Sequence, residues 1–152
     1  MKKIFLIITA LIVLSSCEDN SSNNNTSEKK ITATVNGNSF KAQNIILAVE
    51  YGTYRRQLRI YGESGETKIE LLLKFEPMDT IRTGNYTLTK YGEFLAIYYH
   101  GSVADTATEG IVKLDKFIDS EPPTAKGTFN FLVKQNNSVL YNISNGFFDS
   151  GK

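Results

Sequence analysis

The sequence predicts an all-β domain, an antiparallel meander of about eight to ten short strands. Three observations lead to this prediction. Apolar and polar residues alternate with a period of two, most clearly at 68–75, where four apolar side chains share one face. Turn residues separate the alternating segments at short intervals. No stretch of helical length shows apolar residues at a 3.6-residue period.

The predicted strands follow one another with brief connections. Asn36-Gly37 lies between alternating segments at 32–35 and 39–42, which predicts a hairpin because a type I′ turn needs positive φ at both central positions. Asn136-Asn137 and 62–66 predict further turns, and Pro77 and Pro122-Pro123 predict breaks. The remaining predicted strands are 45–49, 57–61, 68–75, 85–89, 94–99, 110–115, 128–134, 139–143 and a last short edge at 147–148.

Two features of the architecture stay open at this stage. Segments 80–88 and 114–120 could form helices, although neither has matching caps and length. A meander of this size closes either as a barrel or as a two-sheet sandwich, and the alternation pattern agrees with both.

The N-terminus has the pattern of a secretion signal. Lys2 and Lys3 precede an apolar run at 4–14 that would reach about 16 Å as a helix, too short for a bilayer core of about 30 Å. Leu14-Ser15-Ser16-Cys17 resembles the lipobox of bacterial lipoprotein precursors. This resemblance implies that residues 1–16 are a signal peptide, which is removed by cleavage before Cys17. Cys17 would then be acylated and held in a membrane by at least two acyl chains.

The residues after the cysteine predict a location and a tether. Glu18 and Asp19 resemble the surface-export signal of Bacteroidota lipoproteins, which implies the outer face of the outer membrane, with the periplasmic face as the alternative. Segment 20–30 is polar and of low complexity, so we expect 17–30 to consist of the acylated cysteine and a flexible Ser/Asn linker. Residues 31–152 then form a single β domain.

Composition excludes several classes of function. The chain carries 17 basic and 16 acidic residues, and removal of Lys2 and Lys3 leaves it near neutral, so we expect no nucleic-acid binding. A single cysteine excludes an intramolecular disulfide. The single histidine, His100, cannot supply the ligands of a zinc site and is interpreted as a strand-end residue. We expect no cofactor, no metal and no catalytic residues.

Two groups of aromatic residues could bind a ligand. Tyr51, Tyr54, Arg55 and Arg56, with Arg59 nearby, bring aromatic rings and guanidinium groups together, and both residue types are common interface anchors. The second group is Tyr91, Phe94, Tyr98 and Tyr99. Ordinary core or amphipathic sheet packing is the alternative for both groups.

Several short motifs of turn and strand residues lie across 31–149. They are Ile31-Thr32-Ala33-Thr34-Val35-Asn36-Gly37, Phe40-Lys41-Ala42, Gly84-Asn85-Tyr86, Gly127-Thr128-Phe129-Asn130-Phe131 and Ile143-Ser144-Asn145-Gly146-Phe147-Phe148. Together these motifs resemble a family of small Bacteroidota lipoproteins of unknown function. The resemblance implies an all-β extracytoplasmic domain and carries over no catalytic residue.

Two further motifs resemble the O-glycosylation pattern of exported Bacteroidota proteins, in which Asp precedes Thr or Ser and an apolar residue follows. Asp79-Thr80-Ile81 and Asp105-Thr106-Ala107 fit it, and both are expected in loops. The resemblance implies glycans on Thr80 and Thr106.

These observations favour a membrane-anchored, non-catalytic β domain that binds a ligand or partner protein, with glycan, peptide and envelope protein all open. We expect a monomer. A calycin-like barrel that carries a small apolar molecule is the second hypothesis. An enzyme or an enzyme inhibitor is the third.

Overall fold

A computed structural model describes residues 28–53 and 55–151, and these residues form eleven β-strands. The predicted all-β class is therefore confirmed. The strands are β1 (Lys30–Val35), β2 (Asn38–Lys41), β3 (Asn44–Tyr51), β4 (Arg56–Ser64), β5 (Thr67–Phe75), β6 (Gly84–Thr89), β7 (Phe94–His100), β8 (Val103–Thr106), β9 (Glu109–Ile118), β10 (Thr124–Gln135) and β11 (Ser138–Asp149).

The strands form two antiparallel sheets in a sandwich-like arrangement. Sheet A has the order β2-β1-β11-β10-β9-β6, and sheet B has the order β3-β4-β5-β7-β8. No ladder between the described strands joins the two sheets into a closed barrel. The meander is incomplete, because β6 leaves sheet B and pairs with β9, and β1 pairs with β11.

The hairpins follow local turn chemistry. Asn36 and Gly37 have φ values of 47° and 85° and join β1 to β2, as predicted. Asn136 and Asn137, with φ values of 50° and 64°, join β10 to β11. Asn and Gly tolerate positive φ better than other residues, so these dipeptides determine where the chain reverses.

The core lies between the inner faces of the two sheets. Sheet B contributes Leu58, Ile60 and Leu71, which are at most 1% exposed. Sheet A contributes three phenylalanines, and each lies directly across a ladder from a glycine: Phe131 opposite Gly110, Phe148 opposite Gly127, and Phe129 opposite Gly146. The rings of Phe131 and Phe148 each stack with that of Phe129, at centroid distances of 6.3 and 6.5 Å. Gly127 and Gly146 leave the space that the facing rings fill, and Gly110 allows the close approach of Cβ and the backbone of Phe131.

Several predicted boundaries were wrong. β8 was missed because it is a four-residue edge strand without clear alternation, and the count is eleven rather than eight to ten. Phe147 and Phe148 belong to β11 instead of forming a separate edge. Neither of the two possible helices forms. β6 occupies most of 80–88 and β9 covers most of 114–120, because both segments pair with neighbouring strands. The turn predicted at 62–66 is confined to Gly65 and Glu66, because β4 continues to Ser64.

No helix that could span a membrane occurs within residues 28–53 and 55–151.

Gly127→Ala should destabilise the domain by about 3 kcal/mol, the upper end of the range for overpacked cores. The new Cβ would lie 2.6 Å from Cζ of Phe148 and would also meet the backbone carbonyl of Lys113, which cannot move away without disrupting the ladder. Urea unfolding of the purified protein measures the change. Asn130→Ala, at an exposed position of the same strand, is the control and should change stability by less than about 0.5 kcal/mol. Equal unfolding midpoints for Gly127→Ala and wild type would contradict this account of the core.

Candidate functional site

The candidate site lies where β3 ends and β4 begins. Tyr51 is the last residue of β3 and lies opposite Arg56, the first residue of β4. The N–H of Gly52 donates to the carbonyl of Arg55 at 2.8 Å, which closes the connection between the strands. Arg56 has the same parity as the buried Leu58, so its side chain starts on the inner face of sheet B.

Arg56 connects this hairpin to the loop between β9 and β10. Its guanidinium donates to Asp119 in an ion pair, and it also donates to the hydroxyl of Tyr51 and the carbonyl of Asp79, each at 3.4 Å. The Tyr51 hydroxyl donates to Asp119 at 3.2 Å, and the guanidinium lies 5.2 Å from the centre of the Tyr51 ring. Arg56 is only 11% exposed, whereas Tyr51 is 71% exposed. A rigidly held guanidinium thus supports an exposed aromatic ring.

An open groove of about 640 Å³ runs beside Tyr51. It is lined by Leu47, Ala48, Val49 and Tyr51 from β3 and by Asp119, Ser120, Glu121, Pro122 and Pro123 from the β9–β10 loop. We call it the Tyr51 groove. Its size falls in the range of small-ligand sites, and its lining mixes apolar side chains with carboxylates.

A second groove continues along the same strand towards its start. It has a volume of about 490 Å³ and is lined by Glu28, Lys29, Gln43, Asn44, Ile45 and Ile46. The two grooves together therefore adjoin most of β3.

The outer face of sheet B carries a separate polar network. Glu70 is only 5% exposed although the alternation of β5 places it on the outward face. It accepts hydrogen bonds from Nε of Arg59 at 2.6 Å and from the Tyr99 hydroxyl at 2.7 Å, and these two side chains cover it. The Tyr61 hydroxyl donates to Glu63 at 2.7 Å.

The network raises the pKa values of two tyrosine hydroxyl groups, those of Tyr99 and Tyr61. Burial and the hydrogen bond to Glu70 raise the pKa of Tyr99 to about 12. Burial and the hydrogen bond to Glu63 raise the pKa of Tyr61 to about 12. In both cases the neutral phenol is favoured, because the phenolate would be desolvated beside a carboxylate.

The structure brings together half of the predicted ligand-binding group. Tyr51 and Arg56 meet in the Tyr51 groove. Arg55 is exposed, and Tyr54 lies outside the described residues. Arg59 faces the outer side of sheet B, one residue out of phase with Arg56 and Leu58.

The second aromatic group does not form a site. Phe94 packs with Phe75 and Tyr86 at centroid distances of 5.7 and 4.9 Å. Tyr98 packs on Tyr141, while Tyr99 points to the outer network and Tyr91 is 90% exposed. Phe94 and Tyr98 lie on one face of β7 and Tyr99 lies on the other, whereas Tyr91 precedes the strand. Core and sheet packing therefore accounts for most of the group.

The remaining predicted positions are dispersed. Thr80 is exposed in the loop between β5 and β6, as expected. The loop predicted at Thr106 is wrong, because Thr106 is the half-buried last residue of β8, where it pairs with Ile97. His100 is the exposed last residue of β7, in agreement with its interpretation. Cys17 lies outside the described residues.

Sequence reasoning missed Asp119 and Glu70. Asp119 is 63 residues from Arg56 in sequence, so no local pattern connects them. The alternation showed on which face Glu70 lies but not that side chains of β4 and β7 cover it. Within the described part of the chain, no group of three His, Cys, Asp or Glu side chains could hold a metal ion.

Comparison with known proteins identifies the domain. A family model described as "Domain of unknown function (DUF6252)" matches residues 27–151. The chain belongs to this family. The prediction that the chain belongs to a family of unknown function is confirmed. The matched residues include all eleven strands. No curated protein matches the chain, and no solved structure matches it.

Glu70→Gln should lower the pKa of Tyr99 from about 12 towards its usual value of about 10, because the facing charge is removed. Glu63→Gln should lower the pKa of Tyr61 and leave that of Tyr99 unchanged. Glu70→Gln should lower the pKa of Tyr61 less than Glu63→Gln does, because Glu70 acts on Tyr61 only through its charge. The measurement is a pH titration of the tyrosine ring carbons by NMR. Since the folded-state pKa values are raised, the stabilisation from these hydroxyls is full below pH 10 and is lost as the pH rises to about 12. Equal shifts of both tyrosines in both variants would contradict the assigned pairs.

Proposed function

We propose that this chain is a membrane-anchored extracytoplasmic lipoprotein whose β domain binds a partner, without catalysis, at the Tyr51 groove. The sequence from Leu14 to Cys17 supports the anchor, and Glu18 and Asp19 support display on the outer membrane surface. The matched family domain starts at residue 27, which leaves a short polar segment between Cys17 and the domain. O-glycosylation at Thr80 and Thr106 stays a prediction.

One observation carries the binding role: an exposed tyrosine ring is supported from one side by a guanidinium that is itself tied to a carboxylate. Tyr51 is 71% exposed, yet Arg56 and Asp119 restrict its position. A preorganised aromatic anchor loses little conformational entropy on binding. Tyr and Arg are the residue types that most often dominate interface energetics.

The groove offers chemistry for a polypeptide or a glycan. Leu47, Val49 and the two prolines supply apolar surface, and Asp119 and Glu121 supply acceptors. Peptide, glycan and envelope protein remain the classes of partner for this surface.

The packed interior gives no support to the carrier alternative. A carrier needs an unfilled cavity between its sheets. Phe129, Phe131 and Phe148, each at most 2% exposed, fill the space between sheets A and B in the described part of the chain. We therefore propose a sandwich with a filled core and a binding surface at its edge.

Cys17→Ala should abolish the incorporation of labelled palmitate into the protein in its native host, because the thiol that accepts the lipid would be lost. Ser16→Ala keeps a small residue before the cysteine and is the matched control, which should still incorporate the label. Protease added to intact cells should digest the wild-type protein. Labelling of the Cys17→Ala protein would contradict the lipid anchor, and full protease protection would contradict surface display.

A photo-crosslinking benzoylphenylalanine at position 51 should form adducts in living cells that the same group at position 139 does not form. Val139 is also exposed, at 52%, but lies on β11 away from the groove. The readout is a heavier band on a blot, followed by mass spectrometry of the adduct. No adduct at position 51, or equal adducts at both positions, would contradict binding in the Tyr51 groove.

A further inference from the structure

The longest open sheet edge among the described strands belongs to β3. The edge strands are β2, β6, β3 and β8, with four, six, eight and four residues. An edge strand presents unpaired backbone groups to any other strand, and proteins usually protect such edges with charges, proline or short length. β3 has no proline and a single charged residue, Glu50. It therefore lacks the usual protection.

The ladder to β4 determines which backbone groups of β3 are free. The N–H of Gly52 bonds to the carbonyl of Arg55, and in an antiparallel ladder every second residue bonds to the same neighbour. Glu50 thus bonds to β4, whereas Leu47 and Val49 direct their N–H and C=O groups to the open edge.

The grooves follow this edge and not one face of the sheet. Leu47, Ala48 and Val49 all line the Tyr51 groove, although consecutive strand residues point to opposite faces. A space that contacts all three must lie beside the backbone. The β9–β10 loop borders it on the inner side, where Asp119 contacts Tyr51. The Tyr51 groove is thus an open space along the edge of β3.

The two ends of the edge differ in charge. A cavity at the start of β3 is lined by Lys29, Lys30 and Lys41, with Glu28 as its one acidic residue. At the end of β3, Asp119 is paired with Arg56, and Glu121 lines the Tyr51 groove beside it. Antiparallel pairing of two identical edges places the basic end of each copy towards Glu121 of the other, which favours the pairing.

We propose that β3 pairs antiparallel with β3 of a second copy of this chain, about a two-fold axis at Leu47. The two B sheets then form one continuous sheet. This inference rests on the proposed function, because it names the partner that occupies the Tyr51 groove, and it replaces the monomer expected from the sequence.

The sequence of β3 selects the register. With the axis at Leu47, Ile45 lies opposite Val49 on the inner face, and Asn44 lies opposite Glu50 on the outer face. Apolar side chains thus meet apolar ones, and an amide meets a carboxylate. A shift of the axis by one residue would place Ile46 opposite Glu50.

The mass of the purified full chain in detergent tests the pairing. Sedimentation velocity should give twice the protein mass of a monomer. Leu47→Lys places two ammonium groups opposite each other on the axis and should weaken the dimer by about tenfold or more. Val139→Lys, at an exposed apolar position of β11, is the control and should leave the dimer unchanged. Circular dichroism shows whether each variant is folded.

Cysteine crosslinking tests the register independently of Leu47→Lys. Leu47→Cys should form an intermolecular disulfide on oxidation, because directly opposite residues of a ladder lie within disulfide range. Glu50→Cys lies three residues from the axis and should not form an intermolecular disulfide. The wild-type chain is the control for any disulfide that forms through Cys17. A monomer at every concentration, or equal crosslinking of Glu50→Cys and Leu47→Cys, would overturn the proposal.

The two proposals can fail separately. If the purified chain is monomeric and position 51 still forms adducts with another molecule in cells, the dimer is refuted and the binding role of the groove stands. If the purified chain is monomeric and position 51 forms no adducts in cells, both the dimer and the binding role of the groove are refuted.

Discussion

The packing of three phenylalanine rings onto three glycines is the constraint on which the rest of the structure depends. Each pair spans one ladder of sheet A: Gly110 with Phe131, Gly127 with Phe148, and Gly146 with Phe129. A side chain on Gly127 or Gly146 would collide with the ring it faces, and one on Gly110 would collide with Cβ and the backbone of Phe131. The pairs thus fix the register of β9, β10 and β11. Because β9 and β10 flank the loop at 119–123, the same packing positions one side of the Tyr51 groove.

β4 connects the core with both polar surfaces. Its inward residues, Leu58 and Ile60, are buried, and Arg56 continues that series to the start of the strand, where it pairs with Asp119 of the β9–β10 loop. The outward residues Arg59 and Tyr61 belong to the network around Glu70 and Glu63. A single strand with period-two alternation therefore orders the groove and the outer network at once.

The sequence predicted those parts of the fold that depend only on residues close together in the chain. Alternation at 68–75 and the turn at Asn36-Gly37 predicted β5 and the first hairpin, because side-chain period and positive φ are properties of neighbouring residues. The pairing of β6 with β9 depends on how the sheets pack, which no short segment encodes. The same limit applies to the site. Tyr51 and Arg56 could be predicted from their proximity in sequence, but Asp119 could not.

The position of β1 within sheet A determines how the domain bears mechanical load. β1 is the first described strand, and it has β2 on one side and β11 on the other. Lys30 at its start lies opposite Asp149 at the end of β11, so the two ends of the domain are held side by side. A pull on the N-terminal end along the axis of β1 loads both ladders at once, whereas an edge strand can be peeled from a single neighbour one hydrogen bond at a time. A domain built this way resists unfolding by such a pull.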